Sequence, residues 1–320
     1  MAMPVRPYLV GVDVSKAELA ICEHPEAPVI LLENDPGSIA GWLKQLQAPA
    51  CLAVEATNTY HMELVDQAHR LGHTVYVVDG FRLNRYRQSI GGRAKTDSSD
   101  ARLLWRYLDR ERADLRPWTP PSKGYRTLQQ LLRRRAVLVR AKSALEQSLR
   151  EVPELKREAQ GLTKQFKMLD SAILRRIREC IRHHQWQADM ERCQGIEGVG
   201  PLSAAALTMA FQRGHFRSND AFVAFLGLDV RVRDSGKTRG QRKLTKQGDP
   251  ELRRLLYLAA MTASRSATWR GFYQRHLDRG LSPTQAFIIL ARKIARIAFS
   301  LLKNQTTYQP KPHIEACAVT

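Results

Sequence analysis

At 320 residues and 43% hydrophobic content, the chain can bury a core larger than that of one small domain and is not disordered. Its formal net charge of +20 and pI near 10.2 ask for a polyanionic partner, while no apolar run reaches the ~18 residues of a membrane-spanning helix. The charge is uneven: residues 1–80 hold 4 basic and 10 acidic residues, a net of −6, which leaves +26 for the remainder.

The opening, MAMPVRPYLVGVDVSK, lacks the charged and apolar regions of a signal peptide. PYLVGVDVS then reads as a β-branched strand, with AELAICEH as its hairpin partner and APVILLEN as a third strand. Helix PGSIAGWLKQLQ, strand ACLAVEAT, helix YHMELVDQAHRLG and strand HTVYVVD follow. Three antiparallel strands leading into strand–helix–strand alternation predict a mixed α/β sheet, an order that fits a ribonuclease-H-like layout. A flavodoxin-like fold would fit the second half but not the opening hairpins. KTDSSDARLLWRYL opens a further helix, and the Pro-rich RADLRPWTPPSKG reads as a linker. Beyond it lie two long amphipathic helices joined at Pro153, an antiparallel hairpin or oligomerising arm. The consecutive Arg133, Arg134 and Arg135 fit nucleic-acid contact as well as a solvated helix face. The last part runs from CQGIEGVGPLSAAALTMAF to the helices of SPTQAFIILARKIARIAFSLLK, and the tail QTTYQPKPHIEACAVT is expected to be poorly ordered. The five cysteines, Cys22, Cys51, Cys180, Cys193 and Cys317, are odd in number and lack metal-ligand spacing, as in a reduced cytoplasmic protein.

Four carboxylates sit where metal-dependent phosphodiester chemistry would use them. Asp13 and Glu55 end apolar strands, and Asp97 and Asp100 lie i, i+3 on one helix face. One strand-end acid is commonly a turn residue, and Asp97 alone could cap its helix with Asp100 as a favourable first-turn acid. An actin-like ATPase would also place acids at strand ends, but no second and third Gly-rich phosphate loop follows. Taken together in an acidic domain, the four favour a metal site. GIEGVG followed by Pro201 matches a helix-hairpin-helix turn in which Gly198 and Gly200 let backbone N–H groups approach a phosphate; tight helix packing is the other reading. VRVRDSGKTRGQRKLTKQG places Ser235 in a turn among Arg233, Lys237, Arg239, Lys246 and other cations. A serine before glycine is ordinarily a turn residue, and no histidine stands beside it to activate its hydroxyl.

GVDVSK, VEATNTY, KTDSSDA, GIEGVGPLSA, FLGL and SGK followed by KLTKQGDPELRRLLYLAAM resemble, in order and over nearly the whole chain, the DEDD transposases of bacterial insertion sequences. These are the bridge-RNA-guided recombinases related to the Piv invertase. The long-helix region resembles the family only in helical character. The resemblance implies a RuvC-like DEDD domain over 1–112, a linker over 113–122, a coiled-coil region over 123–189, a serine transposase domain over 190–304 and a flexible tail over 305–320. It implies that Asp13, Glu55, Asp97 and Asp100 bind Mg²⁺, with Mn²⁺ as an alternative, and that Ser235 attacks a DNA phosphate to form a phosphoserine intermediate. Arg233, Lys237, Arg239 and Lys246, with Gly198 and Gly200, become candidate nucleic-acid contacts. Donor and target DNA, a structured guide (bridge) RNA and a homo-tetramer built as a dimer of dimers are the implied partners, in a bacterial, nucleoid-associated, cytoplasmic setting. Two other functions stay open: a RuvC-like Mg²⁺-dependent junction nuclease without a covalent intermediate, and a non-catalytic nucleic-acid-binding protein.

Overall fold

Tyr8–Val14 (β1) is the strand on which the first half of the chain is organised. It pairs antiparallel with Glu18–Cys22 (β2), which pairs antiparallel with Ile30–Glu33 (β3). On its other side it runs parallel to Ala50–Glu55 (β4), and β4 runs parallel to Thr74–Val78 (β5). The order β3-β2-β1-β4-β5 makes a five-stranded mixed sheet. This computed structural model describes residues 7–46, 49–91, 96–231, 234–235, 238–239 and 242–310, the backbone alone at 234–235 and 238–239. The chain divides into two compact units, Met1–Pro120 and Pro121–Thr320.

Alternation along the strands sorts the first unit into layers. Val10, Val12, Leu52 and Val54 point to one face and pack with Ile39, Leu43, Leu64 and Val65 from Pro36–Gln45 (α1) and Met62–Arg70 (α2). Leu9, Cys51, Ala53 and Val78 point to the other face, beneath Leu83 of Gly80–Ser89 (α3) and Leu103, Leu104, Tyr107 and Leu108 of Asp97–Glu111 (α4). Each leucine buried there contributes about 1.5–3 kcal/mol. Gly11 of β1 shares the second face. A Cβ there would lie 2.2 Å from the Ala101 carbonyl oxygen and 2.4 Å from the Trp105 nitrogen, so α4 lies backbone-close on β1. Trp105 Nε1 donates to the Leu9 carbonyl at 3.0 Å and fixes the same contact. α3 is an addition to the expected elements.

The second unit is mainly helical. Lys123–Ser148 (α5) and Lys156–His183 (α6) form an antiparallel hairpin around Pro153. Arg135 Nη2 donates to Asp170 at 3.2 Å and Thr163 to Glu146 at 3.3 Å across it. Gln187–Gln194 (α7), Pro201–Phe211 (α8), Asn219–Phe225 (α9), Pro250–Ala263 (α10), Ala267–Asp278 (α11) and Pro283–Asn304 (α12) complete the helices. α12 supplies Leu290, Ala291, Ile294, Ala295 and Ala298 to one large core shared with α5–α10. Two short antiparallel pairs interrupt the helices: Val230–Arg231 (β6) with Lys243–Leu244 (β9), and Asp234–Ser235 (β7) with Thr238–Arg239 (β8). The stretch expected as a flexible tail from residue 305 differs over its first part: Thr306 N donates to the Leu301 carbonyl at 3.1 Å and Tyr308 packs on the core, burying apolar surface that free solvent would penalise. Cys22, Cys51, Cys180 and Cys193 are free thiols, and Cys317 lies outside the described residues. No helix among the described residues is long and apolar enough to cross a membrane.

Candidate active site

The acids of the first unit meet because of strand parity. Val12 is registered opposite Val54, which sets Asp13 and Glu55 side by side at the ends of neighbouring parallel strands. Each is an even number of residues from a buried neighbour on the α4 face, Asp13 from Leu9 and Glu55 from Ala53. The two carboxyl groups share a hydrogen bond. Asp13 is half-buried, and burial pushes its carboxyl above the usual carboxylate range. The charges of Asp100 and then Asp97 raise it further, while the bonds from the Val14 backbone N–H, at 3.0 Å, and from Glu55 draw it back. Asp13 thus feels all three other acids of the quartet.

Asp97 and Asp100 do not cap their helix. Thr96 is the N-cap of α4: its side chain accepts from the Ser99 N–H at 3.2 Å, and Ser99 Oγ accepts from the Thr96 N–H at 2.9 Å, a reciprocal box. The carboxylates of the first turn are therefore available for other partners. Asp100 is buried with Leu103, Leu104 and Tyr107 on the sheet-facing side of α4. It accepts from Ser99 Oγ at 3.2 Å and is ion-paired with Arg87 of α3. A cavity of about 470 Å³ beside the pair is lined by Glu55, Asn84, Arg87 and Asp100, with Gly80 and Phe81 at the start of α3. A Cβ on Gly80 would lie 2.5 Å from Glu55 Oε1, so the glycine makes room for that carboxylate. Phe81 is exposed beneath the guanidinium of Arg85, 4.8 Å from its ring centroid.

An all-carboxylate donor set suits a hard divalent cation. Among the described residues no three such groups stand close enough together to hold an ion as they are. Asp100, the acid that would join Asp13 and Glu55, is taken up by Arg87.

The remaining candidates lie in the second unit. Ser235 is registered opposite Thr238 in the β7–β8 pair. Arg239 is opposite Asp234 in the same pair, while Arg233 and Lys237 lie outside the described residues. Lys246 is exposed with φ at 57°, the left-handed region, in the bend that leads to α10. Gly198 has φ at 85°, and a Cβ there would lie 2.5 Å from the Ala263 nitrogen and 2.6 Å from the Ala259 carbonyl of α10. The left-handed backbone and the close approach of α10 both require a glycine at 198. Gly200 instead stands open at the N-cap of α8 with nothing within 4 Å of a built Cβ. In the arginine run, Arg133 donates to Asp249 at 2.8 Å and Arg135 to Asp170, so two of the three are committed to helix–helix ties.

Sequence reasoning did not find Arg87, Gly80 or Asn84. The available signal was the run DGFRLNRYRQS directly after a strand, a capping Asp followed by three arginines.

Comparison with known proteins bears on these sites. Residues 10–153, which hold all four acids, match the transposase family profile of the DEDD type found in IS110 elements. Residues 190–274, which hold Ser235, match the profile described as Transposase IS116/IS110/IS902 family. The chain belongs to this transposase family. It is a DNA transposase or recombinase. It is similar to a probable family 20 transposase of Pseudomonas aeruginosa, 26% identical over 349 residues, covering 94% of this chain and 98% of the relative. It is also similar to the pilin gene-inverting protein of Moraxella bovis, 26% identical over 280 residues and covering 82% and 83% of the two chains. The uncharacterized 42 kDa protein of insertion element IS900 from Mycobacterium paratuberculosis is 30% identical over 160 residues, covering 50% of this chain and 39% of that one.

Proposed function

We propose that this transposase cuts and rejoins DNA through a covalent phosphoserine intermediate, with a RuvC-like acid centre in its first unit and Ser235 as the nucleophile. The observation that carries the reading is the meeting of Asp13 and Glu55 on the α4 face, within electrostatic reach of Asp97 and Asp100. The strand order β3-β2-β1-β4-β5, antiparallel on one side of β1 and parallel on the other, supports a ribonuclease-H-like first unit. Asp13, Glu55, Asp97 and Asp100 would hold Mg²⁺ or Mn²⁺. Bound there, such an ion neutralises charge on the phosphate being attacked and lowers the pKa of the attacking hydroxyl. Ser235 Oγ forms a bond to phosphorus, its proton leaves to a carboxylate or water, and a DNA hydroxyl end departs. A second DNA hydroxyl then attacks the phosphoserine, which restores the serine and joins the strands. Arg233, Lys237, Arg239 and Lys246 would supply positive charge to the phosphates, and the N-terminus of α8 at Gly200 would contact the DNA backbone. The similarity to a pilin gene-inverting protein supports conservative strand exchange, in which no phosphodiester energy is lost. A structured guide RNA pairing with donor and target DNA, and a homo-tetramer, complete the proposal.

The test is adduct trapping. Ser235→Ala should abolish the protein–DNA species that survives denaturing electrophoresis, lower strand exchange by at least about 10³-fold, and leave DNA binding intact. An adduct that persists in this variant would remove Ser235 from its role. Ion-dependent cleavage by the wild type with no adduct would replace the mechanism with hydrolysis by water.

A further inference from the structure

We propose that Arg87 is a resident counter-cation of the acid centre, one that competes with the divalent ion for Asp100. The inference rests on the metal-centre reading above. Asp100 is the most deeply buried acid of the quartet, and its side chain and that of Arg87 are only 5% and 11% exposed where the guanidinium meets Oδ1. Ser99 Oγ reaches that same oxygen. A buried carboxylate left without a partner is costly, so the folded chain is more stable with a cation against Asp100. Arginine keeps its proton under all working conditions, so the exchange is a change of position and not a proton transfer.

The surroundings favour a side chain that can leave. α3 buries only Leu83, and the cavity of about 470 Å³ borders the pair on the side lined by Asn84 and Phe81. The guanidinium has space to turn away while α4 stays clamped on β1 through Gly11 and Trp105. Competition also explains an otherwise odd combination: Asp13 and Glu55 are set side by side on neighbouring strands and Asp100 lies on the helix packed over them, and yet no three acids stand in ion-holding proximity among the described residues. Arg87 holds Asp100 toward α3, and releasing it lets the carboxylate turn toward Asp13.

The experiment uses the full-length chain stripped with chelator, titrated with Mn²⁺ and with Mg²⁺, and followed by calorimetry and by thermal unfolding. Four proteins are compared: wild type, Arg87→Gln, Arg87→Lys and Asp13→Asn. Without added ion, Arg87→Gln should melt below the wild type, because Asp100 has lost its partner. With ion it should bind about 5-fold or more tightly and show a larger rise in melting temperature than the wild type. Arg87→Lys, which keeps the charge without the planar fork, should fall between them and serves if Arg87→Gln does not fold. Equal or weaker ion binding by the arginine variants would overturn the competition and make Arg87 an orienting group for Asp100. A wild type with no saturable response, or one that Asp13→Asn leaves unchanged, would bring down the metal-centre reading and this inference with it. A response lost in Asp13→Asn but unaltered at Arg87 would bring down the inference alone.

Discussion

Gly11 has no functional group, yet the acid centre depends on it as closely as on any carboxylate. Its missing side chain is what lets the Ala101 carbonyl and Trp105 nitrogen of α4 lie against β1, and so brings Asp97 and Asp100 to the strand that carries Asp13. Gly11→Ala should therefore destabilise the chain by roughly 3 kcal/mol, the cost of overpacking against backbone that cannot rotate away. Urea unfolding followed by circular dichroism would measure it, and a midpoint unchanged from wild type would refute the close approach. At this scale the sequence was legible where chemistry announces itself. Acids at strand ends and an i, i+3 pair in a first turn are local patterns. The pairing of Arg87 with Asp100 is not, because it depends on two helices laid side by side. Nor could Thr96 and Ser99 be separated from Asp97 as capping groups until the helix start was fixed. Ser235 was singled out only through resemblance, since the local pattern of a serine before a glycine describes any turn.

Among elements, α3 escaped prediction for a physical reason: GFRLNRYRQS buries only Leu83, so no apolar stripe of helical period runs through it. The α5–α6 hairpin was readable from its two amphipathic runs and the intervening Pro153, but the role of the arginine run within it was not. Arg133 and Arg135 suit phosphate as well as solvent, and instead they tie α5 to Asp249 and α6. Burial along the hairpin is uneven. The buried positions of α5 lie between Gly124 and Ala136, those of α6 are Ile177 and Ile181, and towards the turn Val152, Leu155, Leu162 and Met168 are exposed. Amides near Lys142–Ser148 and Lys156–Lys167 should exchange hydrogen about 100-fold faster than those of Tyr125–Leu132, because local opening there exposes little apolar surface. Uniform protection along both helices in solution would contradict this and would mean that something covers the outer half.

For the molecule as a whole, the excess of +26 beyond residue 80 makes phosphate contact the main source of its affinity for nucleic acid. Affinity for a non-specific duplex, read by fluorescence anisotropy, should fall by about 10³-fold or more between roughly 50 and 200 mM salt. A shallow dependence would mean that the basic residues are spent on internal ion pairs. The mixed sheet and the helical second half were both readable from periodicity, because long alternating or amphipathic segments dominate them. The short β6–β9 and β7–β8 pairs were not, since two-residue strands leave no period to detect.

The contact between Gly11 and α4 also acts as a register key. If β1 were to slide by one residue against its neighbours, Val10 or Val12 would face the Ala101 carbonyl, where even a single methyl does not fit. A slide of two would bring Leu9 or Asp13 there. The alignment that seats α4 is therefore the same one that sets Asp13 beside Glu55. A chain that closes this layer has, by that act, set Asp13 beside Glu55, and one that misaligns it cannot close. A mispaired sheet therefore cannot hold Asp13 beside Glu55 beneath α4.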